Sequence, residues 1–218
     1  MKSLSRRKLL KLSMMGVAGA FTAEGSLAKA LLPTPPETEG PFYPVTPQDD
    51  KDFDLTQVQG RDGVAEGKHI IVKGSVLDSQ GQPVPHATVE IWQANAKGRY
   101  RHPRDPNSAP LDPNFQGWAI VLTDEQGEFR FKTVMPGAYP ASETWMRPPH
   151  IHFKIAKKGY VELTTQMYFP DEALNETDLL LNDKKPSERL LMIARKRGPS
   201  ATEALDIYEY AIVLEQKS

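Results

Sequence analysis

The stretch RPPHIHF (residues 147–153) opens a run that has the character of a β-strand. In a strand, successive side chains alternate between the two faces. His150 and His152 therefore share one face, while Ile151 and Phe153 share the other, which we expect to be a core face. The two histidine Cα atoms would lie about 6.5–7 Å apart, a spacing that lets both imidazoles bind one metal ion. The same pair could instead be two half-exposed strand residues, and the spacing alone leaves both interpretations open.

Short strand-like runs separated by turn residues fill most of the chain. They lie at 69–77, 87–94, 118–122, 128–133, 150–156, 163–169 and 207–214. One short helix is expected at 187–196, with Ser187 as its N-cap. Two long connections, at 97–117 and after residue 135, are of the kind that carries function. The pattern predicts an all-β fold, an antiparallel β-sandwich with long active-site loops and little helix.

The first thirty residues differ from the rest. A basic segment with two arginines at positions 6 and 7 precedes an apolar run of small residues, and a small-x-small cleavage site follows at 28–30. This order predicts a twin-arginine signal peptide over 1–30 and an exported protein, periplasmic or secreted. The alternative is a basic amphipathic helix with no role in export. After the leader we expect an extended arm at 31–68 and a β-sandwich domain at 69–218.

Composition and charge exclude several classes of protein. The chain has 218 residues, of which 39% are hydrophobic and 25% charged, and this suits one domain with a sizeable core. Without its leader it carries 21 basic and 27 acidic side chains, so no excess of positive charge attracts nucleic acid or an anionic membrane. The chain has no cysteine, which excludes thiolate metal sites and iron–sulfur clusters.

Two tyrosines are candidates to complete a metal site around the histidine pair. Tyr100 and Tyr139 each follow a glycine by two positions and each lie in a loop. A phenolate is a hard anionic oxygen donor, which suits ferric iron better than zinc or magnesium. Each tyrosine could equally be a loop anchor that packs its ring and hydrogen-bonds its hydroxyl.

These residues stand in segments that resemble the intradiol ring-cleavage dioxygenases, the family of protocatechuate 3,4-dioxygenase and catechol 1,2-dioxygenase. The resemblance covers roughly residues 38–170. Its segments are GPFYP (40–44), VEIWQANAKGRYRH (89–102), LDPNFQGWAIVLTDEQGEFRFKTVMPGAYP (111–140), RPPHIHF (147–153) and TTQMYF (164–169).

The resemblance implies a mononuclear, non-haem Fe(III) held by four side chains. Tyr100 and His150 would be the equatorial protein ligands, and Tyr139 and His152 the axial ones. Displaced Tyr139 would accept a proton from the incoming catechol. Arg147 would stabilise negative charge on the bound substrate.

Three further residues gain a role only from the resemblance. Gln166 matches a glutamine beside the ligands, on the side where dioxygen reacts. Trp92 and Tyr43 would line the substrate pocket.

The implied reaction inserts both atoms of dioxygen into a catechol-type ring and opens it between the two hydroxylated carbons, giving a cis,cis-muconate-type product. The implied partners are the aromatic substrate and dioxygen, and either a second copy of this chain or a related second subunit. Residues 142–146 offer no extra cation for a substrate carboxylate, which weighs against protocatechuate itself. The alternative is a secreted β-sandwich binding module in which the same histidines and tyrosines are structural.

Overall fold

The computed structural model describes residues 30–46, 48, 50–199 and 203–217. The predicted signal peptide lies outside the described residues, apart from Ala30. Within the described ranges, no helix combines the length and the apolar character that crossing a bilayer requires.

Two four-stranded sheets face each other across a hydrophobic core. The strands of the back sheet are β1 (His69–Asp78), β4 (Glu128–Val134), β9 (Arg195–Arg197) and β10 (Asp206–Leu214). Those of the site sheet are β2 (Thr88–Trp92), β3 (Trp118–Leu122), β7 (His150–Ala156) and β8 (Leu163–Tyr168). The back sheet has the order β4-β1-β10-β9 and the site sheet the order β3-β2-β7-β8. The predicted all-β sandwich is confirmed, and the predicted strands are correct to within two residues at each end.

Strand pairing departs from the expectation at one place, because β1 and β10 run parallel, with Ile70 opposite Asp206 and Asp78 opposite Leu214. The other ladders of the described sheets are antiparallel. Parallel neighbours need a long crossover between them. Here the intervening chain contains the entire site sheet and its loops, together with β4 and β9 of the back sheet.

The predicted helix at 187–196 was wrong in its extent. Helix α1 spans Leu179–Asn182, and helix α2 spans Pro186–Arg189 with Lys185, not Ser187, at its N-cap. The chain beyond α2 becomes extended because it pairs with neighbouring strands: backbone bonds join Tyr168 to Met192 and Ala194, and β9 pairs with β10. Tertiary pairing overrides the local helical preference here.

The core explains why alternation along β7 positions the histidines. Ile151, Phe153 and Ile155 are fully buried between the two sheets. The side chains of His150 and His152 therefore lie on the other face of the site sheet. Trp92 of β2 is paired with His152 across the ladder and lies on that same face.

Over residues 31–46, 48 and 50–68, the N-terminal arm has no helix and a single bridge, between Asp54 and Lys132. Its backbone is held at several points along the sandwich: the amide of Thr34 bonds to the carbonyl of Val213, and that of Glu37 to the carbonyl of Thr164. Further along, the arm passes over the histidine face, where a Cβ at Gly40 would lie 3.4 Å from Cε1 of His152. The arm therefore covers the site.

Candidate metal centre

The paired histidines present two ring nitrogens to one point. Nε2 of His150 and Nε2 of His152 are 3.2 Å apart. His150 Nδ1–H donates to the carbonyl oxygen of Pro148 over 2.7 Å, which leaves the lone pair of the neutral ring on Nε2. The ring of His152 stacks on Trp92 at 4.8 Å with an interplanar angle of 10°, which fixes its orientation. Both imidazoles are thus held in place before any ligand arrives.

Two phenols complete a group of four donors. Tyr100 lies in the long connection between β2 and β3, and Tyr139 lies in β5 (Tyr139–Pro140), which pairs with β6 (Met146–Arg147). The hydroxyl oxygens of Tyr100 and Tyr139 lie 3.4 Å and 3.5 Å from Nε2 of His150. The structure therefore brings together the four side chains that the sequence singled out.

The spacing of these donors fits a bound metal ion. Donor atoms bound about 2.0–2.1 Å from one cation lie roughly 2.8–3.6 Å apart when their bonds meet at 90–120°. The measured separations of 3.2, 3.4 and 3.5 Å fall in that range. Among the described residues, no group of three His, Cys, Asp or Glu side chains is arranged to hold a metal. The two phenols are side-chain oxygen donors within 3.5 Å of Nε2 of His150. A donor set of two imidazoles and two phenols suits ferric iron.

Two glycines bring the tyrosines together. The backbone N–H groups of Gly98 and Gly137 both donate to the carbonyl oxygen of Asn95, at 3.0 Å and 2.9 Å. A Cβ at Gly98 would collide with the carbonyl of Ala138. The two loops that carry the tyrosines are therefore in direct backbone contact, and this contact explains the glycine two positions before each tyrosine.

We predict that Gly137→Ala will disrupt the centre. The added Cβ would meet the amide nitrogen of Gly98 and lie 2.7 Å from the carbonyl oxygen of Ala96, so one loop has to move. Iron bound per chain, measured after purification from iron-rich medium, should fall by at least about tenfold, as positional losses around metal sites typically do. Gly198→Ala is the matched control, because a Cβ there meets nothing within 4 Å. Full iron content in Gly137→Ala would show that the contact is dispensable.

Burial keeps all four donors neutral in the metal-free protein. Burial raises the pKa of Tyr100 well above the ordinary tyrosine value, and it also raises the pKa of Tyr139. The positive charge of Arg147 opposes both shifts. Burial, aided by the positive charge of Arg147, lowers the pKa of His150 and His152 well below the usual imidazole value. The imidazoles are consequently free to bind a metal, whereas the phenols have to lose their protons to it.

Arg147 lies beside this group and is almost completely buried. Its Nη2 donates to Oε1 of Gln166 at 2.6 Å and to the hydroxyl of Tyr168 at 3.1 Å. Its Nε donates to Asp178 at 2.8 Å. Burial alone would lower the pKa of Arg147, but Tyr168, Tyr139 and Asp178 raise it above the ordinary value. Arg147 therefore brings a permanent positive charge to the donor group.

Gln166 connects Arg147 to the N-terminal arm. Its Oε1 accepts from the Arg147 guanidinium, and its Nε2 donates to the carbonyl oxygen of Thr38 at 3.0 Å. The glutamine is fully buried and stands opposite His152 in the ladder between β7 and β8. Gln166 therefore lies beside the donor residues. Its part in the reaction stays a prediction.

Tyr43 and Trp92 form an aromatic wall next to His152. The Tyr43 ring meets Trp92 edge-on at 5.1 Å. The Tyr43 hydroxyl donates to Oε1 of Glu90 at 2.9 Å, and Trp118 donates to the same oxygen at 2.7 Å. Burial, followed by the Glu90 carboxylate, raises the pKa of Tyr43 to about 12. Because the Tyr43 hydroxyl is hydrogen-bonded to Glu90, only the rings of Tyr43 and Trp92 are available to line a pocket. Their role in binding substrate stays a prediction.

Sequence reasoning missed several residues of the site. Asp178 and Tyr168 hold Arg147, Asn95 ties the two tyrosine loops, and the ring of Phe42 lies 5.0 Å from that of Tyr100. Asp178 had one local signal, since an Asp directly before a Leu-rich run is a typical N-cap. Asn95 and Tyr168 carried no local signal.

The chain resembles several known proteins in sequence and in fold. A family model described as a dioxygenase matches residues 38–216. The chain is 42% identical to a protocatechuate 3,4-dioxygenase beta chain from Burkholderia cepacia, over 75% of this chain and 71% of that protein. It is 33% identical to a catechol 1,2-dioxygenase from Acinetobacter baylyi over 62% of this chain, but spans only 45% of that protein.

A solved structure shares the fold over nearly its whole length. It is the dioxygenase domain of a carbohydrate-binding fusion protein from Streptomyces sp. SirexAA-E, with a TM-score of 0.63 and 26% identity. The match covers 85% of this chain and 99% of that domain. The 3-chlorocatechol 1,2-dioxygenase of Rhodococcus opacus gives a TM-score of 0.67 at 24% identity, covering 87% of this chain and 75% of that one, and shows the fold alone.

Proposed function

The chain belongs to the intradiol dioxygenase family, and from that premise we propose that it opens a catechol-type ring between the two hydroxylated carbons. The proposed cofactor is one non-haem Fe(III) per chain. The proposed products are cis,cis-muconate-type diacids that carry both atoms of dioxygen.

The observation that carries the proposal is the convergence of Tyr100, Tyr139, His150 and His152. Their donor atoms come from three separate segments and meet at 3.2–3.5 Å around Nε2 of His150. A purely structural cluster of buried phenols and imidazoles would not need a buried arginine beside it, because burying an extra charge costs free energy.

Each residue of the site has a separate proposed role in the reaction. When bound, Fe(III) supplies Lewis acidity that makes an aromatic diol reactive towards dioxygen. Tyr139 Oη, as a phenolate, takes a proton from the arriving diol. The Arg147 guanidinium stabilises negative charge that develops on the substrate ring. The Phe42, Tyr43 and Trp92 rings keep water from the reacting atoms.

The names of the related proteins support part of the proposed substrate class. Those relatives act, by their names, on protocatechuate, catechol, chlorocatechol and hydroxyquinol. The segment at 142–146 adds no cation that would bind a substrate carboxylate. We therefore place the substrate among catechols without a ring carboxylate. The beta-chain relative supports a further proposal, assembly with a second copy or with a related second subunit.

Export by the twin-arginine route is also part of the proposal. It rests on the order of basic, apolar and small-residue segments within residues 1–30. The site of action would then be the periplasm or the extracellular space.

Iron content and oxygen uptake test the proposed function together. Purified protein should hold about one iron per chain and show a broad visible tyrosinate-to-iron band, since the phenols are the only anionic donors in the set. Oxygen uptake and muconate absorbance should appear with catechol or hydroxyquinol. Tyr100→Phe removes one of the two phenolates and should weaken and shift the band, whereas Tyr160→Phe, at the far end of the sandwich beside Gln216, should leave it unchanged.

The rival, a secreted binding module, predicts colourless protein and no turnover with any catechol. Colourless, iron-free protein from iron-replete cells would therefore refute the proposal.

A further inference from the structure

Asp178 is the most completely buried acid near the site. Its exposed fraction is 0%, and it lies 31 positions after Arg147 in the sequence. Its Oδ1 accepts from the backbone amides of Leu180 and Leu181, at 2.8 Å and 3.0 Å, which caps α1. Its Oδ2 accepts from Nε of Arg147. The two oxygens therefore have separate tasks.

The capping task does not explain a buried carboxylate. A neutral Ser, Thr or Asn caps a helix about as well. A buried carboxylate is costly unless a cation and hydrogen bonds compensate for it. Helix α1 is only four residues long, so the capping bonds secure a short segment. The feature that requires the second oxygen is the guanidinium of Arg147.

The partners of Arg147 leave one end of its guanidinium free. A guanidinium has five N–H donors in a planar fork. Nε is taken by Asp178, and Nη2 by Gln166 and Tyr168. Within the described ranges, Nη1 donates to no protein atom, which leaves its two N–H groups for a bound anion. A planar group held at two of its three nitrogens cannot rotate.

The same guanidinium lies against the strands that carry the donors. Arg147 stands opposite Tyr139 in the ladder between β5 and β6. Its partners Tyr168 and Gln166 stand opposite His150 and His152 in the ladder between β7 and β8. The orientation of the guanidinium therefore sets where positive charge meets a bound catechol.

We propose that Asp178 is a positioning residue that locks the Arg147 guanidinium so that its Nη1 edge faces the substrate. This inference rests on the proposed function, because the anion that Nη1 meets is the deprotonated diol. Asp178 acts through Arg147 and touches no reacting atom. It also ties the α1 segment to the active site.

The first test is Asp178→Asn in the full-length, iron-loaded enzyme. The asparagine has one acceptor oxygen where Asp178 has two, so it can serve either the cap or Arg147, but not both. We expect kcat to fall about 10–100-fold, as for other residues that orient a ligand-adjacent group, with KM changed less. Iron content and the visible band should stay unchanged.

A matched control separates positioning from local stability. Asn182 braces the same segment, since its side chain donates to the carbonyls of Asn175 and Asp178. Asn182→Ala should lower the melting temperature and leave kcat unchanged. An equal loss of kcat in Asn182→Ala would overturn the proposal, because a merely structural role would then suffice.

A double-mutant cycle tests the coupling directly. In an Arg147→Lys background, which lacks the Nε donor, adding Asp178→Asn should change kcat less than about twofold, since coupled residues are not additive. Independent, additive losses would overturn the proposal. Should Asp178→Asn fail to fold, Asp178→Ser keeps a capping acceptor, lacks the second oxygen and carries the same expectations.

A spectroscopic readout works without turnover. In iron-free protein labelled with ¹⁵N-arginine, the Nε–H signal that disappears in Arg147→Lys should exchange with water at least about tenfold faster in Asp178→Asn. An unchanged exchange rate would overturn the proposal. Wild-type protein without iron or turnover would refute the proposed function instead, and active wild-type enzyme with fully active Asp178→Asn would refute only the positioning role.

Discussion

Replacing His150 with Ala should give a folded protein that binds no iron and cleaves no catechol. Nε2 of His150 is the centre of the donor group, at 3.2 Å from His152 Nε2 and 3.4 and 3.5 Å from the two hydroxyls. Removing it takes away the donor that neighbours all the others. Replacing a residue that only supports a metal ligand lowers metal affinity about 10–100-fold, so replacing a ligand itself should lower it further.

Iron per chain and the visible band measure this prediction, with oxygen uptake as the activity assay. His86→Asn is the control, because His86 is exposed, pairs with Glu125 and has a φ of 53°, which Asn tolerates. Retention of colour and iron in His150→Ala would show that the four side chains do not share a metal.

Arg147→Ala should give an iron-loaded protein with little activity. The change removes the positive charge that we propose to stabilise the reacting ring, and loss of one such electrostatic group costs about 10²–10³-fold in kcat. It should also destabilise the fold, because Asp178 is left as a buried, unpaired carboxylate, a change that costs about 3–5 kcal/mol. Arg147→Lys should recover little, since an ammonium cannot replace a fork that serves three partners.

Different measurements separate the loss of activity from the loss of stability in Arg147→Ala. Steady-state kcat and iron content report on the site, and urea unfolding reports on stability. Arg189→Ala is the control, because that arginine also braces the helical segment, through Asn182 and the carbonyl of Lys184, without touching the donor group. Unchanged kcat in iron-loaded Arg147→Ala would remove its assigned role.

Local pattern was enough to place the histidines. Their alternation with Ile151 and Phe153 depends only on strand geometry, and the burial of those two neighbours is as predicted. The tyrosines required more, because nothing within a few residues of Tyr100 indicates Tyr139. The family resemblance paired them, and the structure adds the cause, a shared hydrogen-bond acceptor on Asn95.

Pairings between distant segments escaped prediction. Asp178 meets Arg147 across 31 positions, and β10 lies beside β1 although more than half of the chain separates them. Such contacts depend on the packed sandwich rather than on any window of sequence. The residues after Arg189 show the same limit, since their pairing with Tyr168 and β10 prevails over helical propensity.

The parallel pairing of β1 with β10 also sets the order of events during biosynthesis. A growing chain makes His69–Asp78 early, but the partner of that strand is complete only once residue 214 has been synthesised. Contacts between such distant segments slow folding. We therefore expect the pairing of β1 with β10 to form late, after the shorter-range ladder between β7 and β8 that holds both histidines.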